Sequence, residues 1–180
     1  IDNSKVIPEP PEPPRGKSFD ACESLDSWSS WGPLSLDFDR PKQGEYSIKT
    51  VLDPSLIVLF QKDITTPFNT EVTKANGYLS FWLYVSNGTN FGDMNTIQPG
   101  EAEIEITSSG TNDVDEIHWY IGRDVQITTG WNKIELKLSA GDEVGNCKLN
   151  AINHFRIYNT KMTGAVELKI DDLRFYKEGD

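Results

Sequence analysis

Long apolar runs are missing from this chain. No stretch approaches the roughly 20 apolar residues that a membrane-spanning helix requires, so the sequence offers no such helix. Sulfur is scarce, with two cysteines and two methionines in 180 residues. Cys22 and Cys147 lie far apart and fit no metal-ligand spacing, which excludes a zinc framework. Two readings stay open for them: a disulfide between an early strand and a late loop in an exported protein, or two separate small hydrophobes. Histidine is equally rare, and neither a G-x-S-x-G elbow nor an H-E-x-x-H pair occurs, so the means for acid–base or nucleophilic catalysis are thin. Positive charge is in deficit too. Seventeen Lys and Arg stand against 28 Asp and Glu, a net charge of −11. A nucleic-acid duplex or an anionic membrane would repel such a surface, whereas neutral ligands and cations suit it. No helical period persists over three turns after residue 17, although "PFNTEVTKANG" could hold a short helix and the region around Leu149–Ile152 a single turn.

What the chain does have is alternation. Residues 1–17 carry five of the ten prolines and no hydrophobic period, the composition of an extended, solvated tether. Ile1 opens the chain without a Met, as in a mature or trimmed product. From 18 to 180 strand follows strand. In "GYLSFWLYVSNG" Leu79, Phe81 and Leu83 share one face, and Tyr78, Ser80, Trp82 and Tyr84 share the other. Ile117, Trp119 and Ile121 alternate with Glu116, His118 and Tyr120, while Phe155 and Ile157 alternate with His154, Arg156 and Tyr158. Turn signals such as "SNGTN", "SSGTND" and "TTG" separate the runs, and "NGT" at 87–89 reads as a turn more than as a glycan acceptor. One domain of this size built this way is expected to be all-β, an antiparallel two-sheet sandwich.

The closing run "AVELKIDDLRFY" breaks its own rule. Val166, Leu168 and Ile170 have one parity, Leu173 and Phe175 the other. Side chains alternate strictly along a strand, so the switch requires a bulge or a partly polar face, and it brings Asp171 or Asp172 onto or beside the core side.

"SFDACESLDSW", "GEYSIKT", "LSFWLYV", "TGWNKIELKLS" and "LKIDDLRFY" occur in an order and spacing that resemble a jelly-roll carbohydrate-binding module of the galactose-binding-domain-like type. The resemblance implies a structural Ca2+ joining first and last strands. Carried over by position, its ligands are Asp20, backbone carbonyls between Pro41 and Tyr46, and Asp171 or Asp172. A cation would explain an inward carboxylate, because a buried charge needs a partner and Ca2+ takes six to eight oxygens. The alternative is a water-exposed bend with the aspartates paired to Arg40 or Arg174.

The outer-face residues Trp82, Tyr84, His118, Tyr120, Arg156 and Tyr158 form the candidate ligand set, with Glu103 and Glu105 as possible neighbours. Aromatic faces stack on the C–H side of a pyranose, and Glu, His and Arg bind its hydroxyls. Trp131 reads as a core anchor, and Trp28 and Trp31 as edge-lining or end-plugging residues. The expected function is a non-catalytic glycan-binding module of a secreted or cell-surface, bacterial-type protein, located outside the cell and held by its tether. Its partners would be polysaccharides or oligosaccharides, with neighbouring protein domains as further candidates. Two alternatives remain: an adhesion-type sandwich contacting protein, and a jelly-roll hydrolase or lyase whose carboxylate pair would come from Glu101, Glu103 and Glu105, a row that otherwise reads as a solvated face.

Overall fold

The structure is a computed structural model and describes residues 13–180; the earlier part of the proline-rich lead, 1–12, lies outside the described residues. The strands are β1 (Lys17–Asp20), β2 (Trp28–Ser29), β3 (Ser35–Asp37), β4 (Ser47–Leu52), β5 (Val58–Phe68) and β6 (Gly77–Val85). A one-turn helix α1 (Gly88–Phe91) follows, with Asn87 of the "NGT" stretch as its N-cap. Next come β7 (Ala102–Thr107), β8 (Glu116–Tyr120), β9 (Gly130–Lys137), β10 (Asp142–Val144), β11 (Ile152–Asn159) and β12 (Val166–Lys177). Lys17, placed at the end of the tether by composition, already pairs with Phe175.

All pairings between these strands are antiparallel, and they form two sheets. The first has the order β3-β4-β12-β6-β9, and β1 also pairs with β12. The second has the order β10-β8-β7-β11-β5-β2. Together they make the two-sheet sandwich that the alternation implied.

The inward parity supplies the core. Leu79, Phe81, Leu83, Ile117, Trp119, Ile121, Phe155 and Ile157 are all at most 1% exposed. Phe155 sits edge-on to Phe81 (centroids 5.5 Å apart) and to Trp28 (6.1 Å), so Trp28 plugs the core. Trp31 is left 56% exposed. Trp131 is not a core anchor. It shares the parity of Lys133 and Glu135, opposite that of Ile134 and Leu136, and packs on the outside against Tyr84. Cys22 and Cys147 are buried and unbridged.

The parity switch in β12 is a bulge between Asp171 and Arg174, with Asp172 at φ +53°. Such a left-handed residue lets two positions oppose one and returns Leu173 and Phe175 to the core side. It also divides one edge of β12 between two partners. Residues Val166–Ile170 pair with β4, and Leu173–Phe175 pair with β1. Gly16 (φ +65°) introduces β1 at a point where a Cβ would lie 2.1 Å from the Phe175 carbonyl oxygen, a place only glycine can occupy.

Phe155→Ala removes a ring held by both sheets. It is expected to lower stability by about 3–5 kcal/mol, read as a shifted urea midpoint with an unchanged m-value.

Candidate functional site

The six candidate ligand residues divide between two opposite faces. Trp82 and Tyr84 lie outside the first sheet, beside Trp131; His118, Tyr120, Arg156 and Tyr158 lie outside the second. A sandwich core about 10 Å thick separates the two groups, so one small ligand cannot touch both.

On the second sheet, strand register sets outward side chains in rows. Tyr158 of β11 pairs with Glu103 of β7, which pairs with Tyr120 of β8. In the next row Arg156 pairs with Glu105 and Glu105 with His118; in the third, His154 pairs with Thr107 and Thr107 with Glu116. Strands lie about 4.8 Å apart and alternate residues about 6.8 Å apart along each strand, so the two tyrosines are roughly 10 Å apart with a carboxylate between them.

These carboxylates are not a solvated row. Glu105 and Glu116 are fully buried and Glu103 nearly so. Arg156 grips Glu105 with two prongs, Nε to Oε1 at 2.6 Å and Nη2 to Oε2 at 3.1 Å. In the orientation its neighbours require, the Asn112 amide accepts from Arg156 Nη1 (2.8 Å) and donates to Glu105 Oε1 (3.2 Å). His154 lies between Asp63 (Nδ1 to Oδ1, 2.6 Å) and Glu105 (Nε2 to Oε1, 3.6 Å). His118 is hydrogen-bonded to Glu116 through Nδ1 (2.8 Å) and to the Tyr120 hydroxyl through Nε2 (3.1 Å). Guanidinium groups stack on both tyrosines, Arg123 at 4.3 Å from the Tyr120 ring and Arg156 at 4.8 Å from the Tyr158 ring.

Titration follows from this geometry. Burial favours the neutral form of Glu105, but His154 and Arg156 prevail and hold its carboxyl below the usual range. Burial raises Glu103 and Glu116, and the Glu105 charge raises both further. Burial, then Glu103, raises the Tyr158 phenol. For His154, burial opposes the charge, but Glu105 and Asp63 overcome it and raise the imidazolium pKa. Glu103, Glu116 and His118 each offer one ligand atom within 4.8 Å of the others, so this corner could also hold a cation.

Register between strands cannot be read from one sequence, which is why Glu116, His154, Asp63 and Asn112 were absent from the candidate set. Glu116 and His154 did share the outward parity of residues that were in it. Asp63 and Asn112 left no such signal.

The candidate cation ligands sit at the bulge. Asp171 is fully buried. Its Oδ2 accepts from the backbone N–H groups of Lys42 (2.6 Å) and Gln43 (3.0 Å), while Oδ1 has no partner. Burial first, then the Asp172 charge, pushes its carboxyl up to about 7 against the pull of those N–H groups. The structure turns Asp172 elsewhere, to Arg174 Nη2 (2.6 Å) and Nε (2.9 Å). Asp20 accepts from the Cys22 N–H and pairs with the buried Lys62 ammonium at 2.6 Å. Of the three aspartates, only Asp171 presents a buried oxygen without a partner, and such a carboxylate oxygen is what a hard cation would satisfy.

No protein-family model matches the chain, and no curated protein sequence matches it. Solved structures do. A family 11 carbohydrate-binding module from Clostridium thermocellum, determined in complex with a β-1,3-1,4-mixed-linked tetrasaccharide, superposes with a TM-score of 0.54 at 13% identity, over 90% of this chain and 95% of that one. A family 30 module of a cellulosomal cellulase from the same organism gives 0.53 at 13%, over 92% and 91%. An exo-β-agarase gives 0.60 at 10%, with 93% of this chain matching a quarter of that one (25%). At these identities the likeness is one of fold: the chain is a jelly-roll β-sandwich of the kind seen in carbohydrate-binding modules. No helix among the described residues is long and apolar enough to cross a membrane.

Because the His154 pKa is raised in the folded state, its contribution to stability is complete below about pH 6.5 and fades as pH rises through the raised value. An NMR titration of the His154 ring should give a midpoint above 6.5, and His154→Gln should flatten stability across that window.

Proposed function

We propose that this domain is a non-catalytic carbohydrate-binding module of a secreted or cell-surface protein, and that it takes a glycan across the β8-β7-β11 face. The observation that carries the reading is the row Tyr158–Glu103–Tyr120. Two rings roughly 10 Å apart bracket about two linked pyranoses, with an acceptor between them. Beneath the row the buried Glu105 and Glu116 fix Arg156 and His118, which in turn hold the Tyr158 ring and the Tyr120 hydroxyl in place before a sugar arrives. Related support comes from the mixed-linkage tetrasaccharide bound by the family 11 module of the same fold.

We also propose a structural Ca2+ with Asp171 as its charged ligand and backbone oxygens of the 41–46 loop completing the set. The unpartnered Asp171 Oδ1 supports it. Asp20 joins only by loosening its hold on Lys62, and Asp172 stays with Arg174. Bound there, the ion would neutralise the buried carboxylate and fasten the loop to the closing strand.

A hydrolase reading has one observation behind it: Glu103 and Glu116 present oxygens within 4.8 Å of each other, and both carboxyls are raised. Against it, both carboxyls are buried and His118 already engages Glu116 at 2.8 Å.

A glycan array should return a β-glucan-like or other neutral polysaccharide ligand whose affinity falls roughly tenfold in Tyr120→Ala and in Tyr158→Ala, with no release of reducing sugar. Unchanged affinity in both variants would move the site off this face. Separately, 1 mM CaCl2 should raise Tm of the wild type and not of Asp171→Asn, whose amide oxygen can still accept from Lys42 and Gln43.

A further inference from the structure

Outside the first sheet lies a depression of about 460 Å³ that the glycan reading leaves unused. Trp82 is its floor. Its wall includes the loop carrying Lys42 and Gln43, which Asp171 holds by their backbone N–H groups. In a chain of net charge −11, four cations (Arg15, Lys42, Lys133, Arg174) line this depression against two carboxylates, Glu135 and Asp172. The carboxylates are taken. Arg174 clasps Asp172 at 2.6 and 2.9 Å. Glu135 accepts from the Tyr176 hydroxyl (3.2 Å) and lies 3.5 Å from Lys133 Nζ.

Lys42 is different. Among the described residues no carboxylate lies within ion-pair reach of its ammonium, which stands 4.5 Å over the Trp82 ring and 5.9 Å from that of Trp131. Lys133 reaches the same indole from 6.0 Å. Two ammonium groups therefore stand close to one partly exposed indole. A cation–π contact at an exposed site is weak, so a ligand anion can draw these ammonium groups aside at small cost.

We propose that this depression is a second, independent saccharide site, selective for an acidic sugar residue. The C–H face of the pyranose stacks on Trp82, and an anionic substituent on its edge, carboxylate or sulfate ester, is held between Lys42 and Lys133. A volume of this size accommodates one to two sugar residues, and Ser80 and Gln43 at the lining offer hydroxyl and amide partners. A lysine is a mobile point charge suited to a monodentate anion of this sort. The site shares no residue with the β8-β7-β11 face.

Calorimetry at low ionic strength tests it with three oligosaccharides: a tetragalacturonide, the same tetramer after carboxyl reduction, and a sulfated galactan tetramer. At least one charged oligomer should bind at least tenfold tighter than the reduced one. The tighter of the two charged ligands identifies the anion. Lys42→Gln should weaken that binding about tenfold, Trp82→Ala should abolish it, and Tyr158→Ala should leave it unchanged. Equal affinity for charged and neutral tetramers, or no binding of either charged oligomer, overturns the proposal. So does a loss caused by Tyr158→Ala instead of Lys42→Gln, or equal binding of an acetylated Glu-Pro peptide. Because Tyr158→Ala and Lys42→Gln report on different sheets, failure here is distinct from failure of the glycan reading.

Discussion

One misfit residue in the closing strand organises the first sheet. β12 exceeds in length either strand that pairs along its outer edge, and the extra residue at Asp171–Asp172 marks where β4 gives way to β1. Without that residue the second half of β12 would turn Leu173 and Phe175 outward, and the core would lose both. Asp172 bears the left-handed backbone, a conformation an aspartate tolerates better than most residues, and Arg174 steadies its side chain. Asp171 is left where strand and loop meet, holding two N–H groups of the loop while one oxygen stays unsatisfied. The chain thus fixes its tertiary closure at the cost of a buried charge, and several kcal/mol are at stake when such a charge lacks a partner.

The second sheet keeps buried charge of another kind. Its outward carboxylates are covered and cross-paired, so each side chain is held by its neighbours before any ligand arrives. A surface assembled this way loses little conformational entropy on binding. It also explains why Glu105 can ionise readily while Glu103 and Glu116 resist: two cations serve the middle carboxylate, and the flanking ones feel its charge.

Much of the architecture could be read from alternation alone. The inward positions of β6, β8 and β11 are buried as their parity required, and the slip in "LKIDDLRFY" is a bulge at the aspartates. Periodicity says which side chains share a strand face, but not which strand lies next or which sheet the strand joins. For that reason Trp82 and His118 could be grouped by chemistry and yet lie on opposite sides of the molecule. The rows of Tyr158, Glu103 and Tyr120 depend on register set by distant turns. Trp131 shows a different gap, since its parity with Lys133 already argued for the outside and its size alone suggested the core. The Asp20–Lys62 pair joins residues 42 positions apart from two sheets, and nothing local announces it.

The ends of the sheets are short. β2, β3 and β10 have two or three residues each, and the longer rim strand β9 bears Lys133, Glu135 and Lys137 along its outward side. Open strand edges invite pairing with any other chain, and brevity and charge are how folded proteins discourage it. Crowded side by side, as modules strung along a larger protein or arrayed on a surface would be, copies of this domain offer one another only short edges and one charged edge along which to zip together.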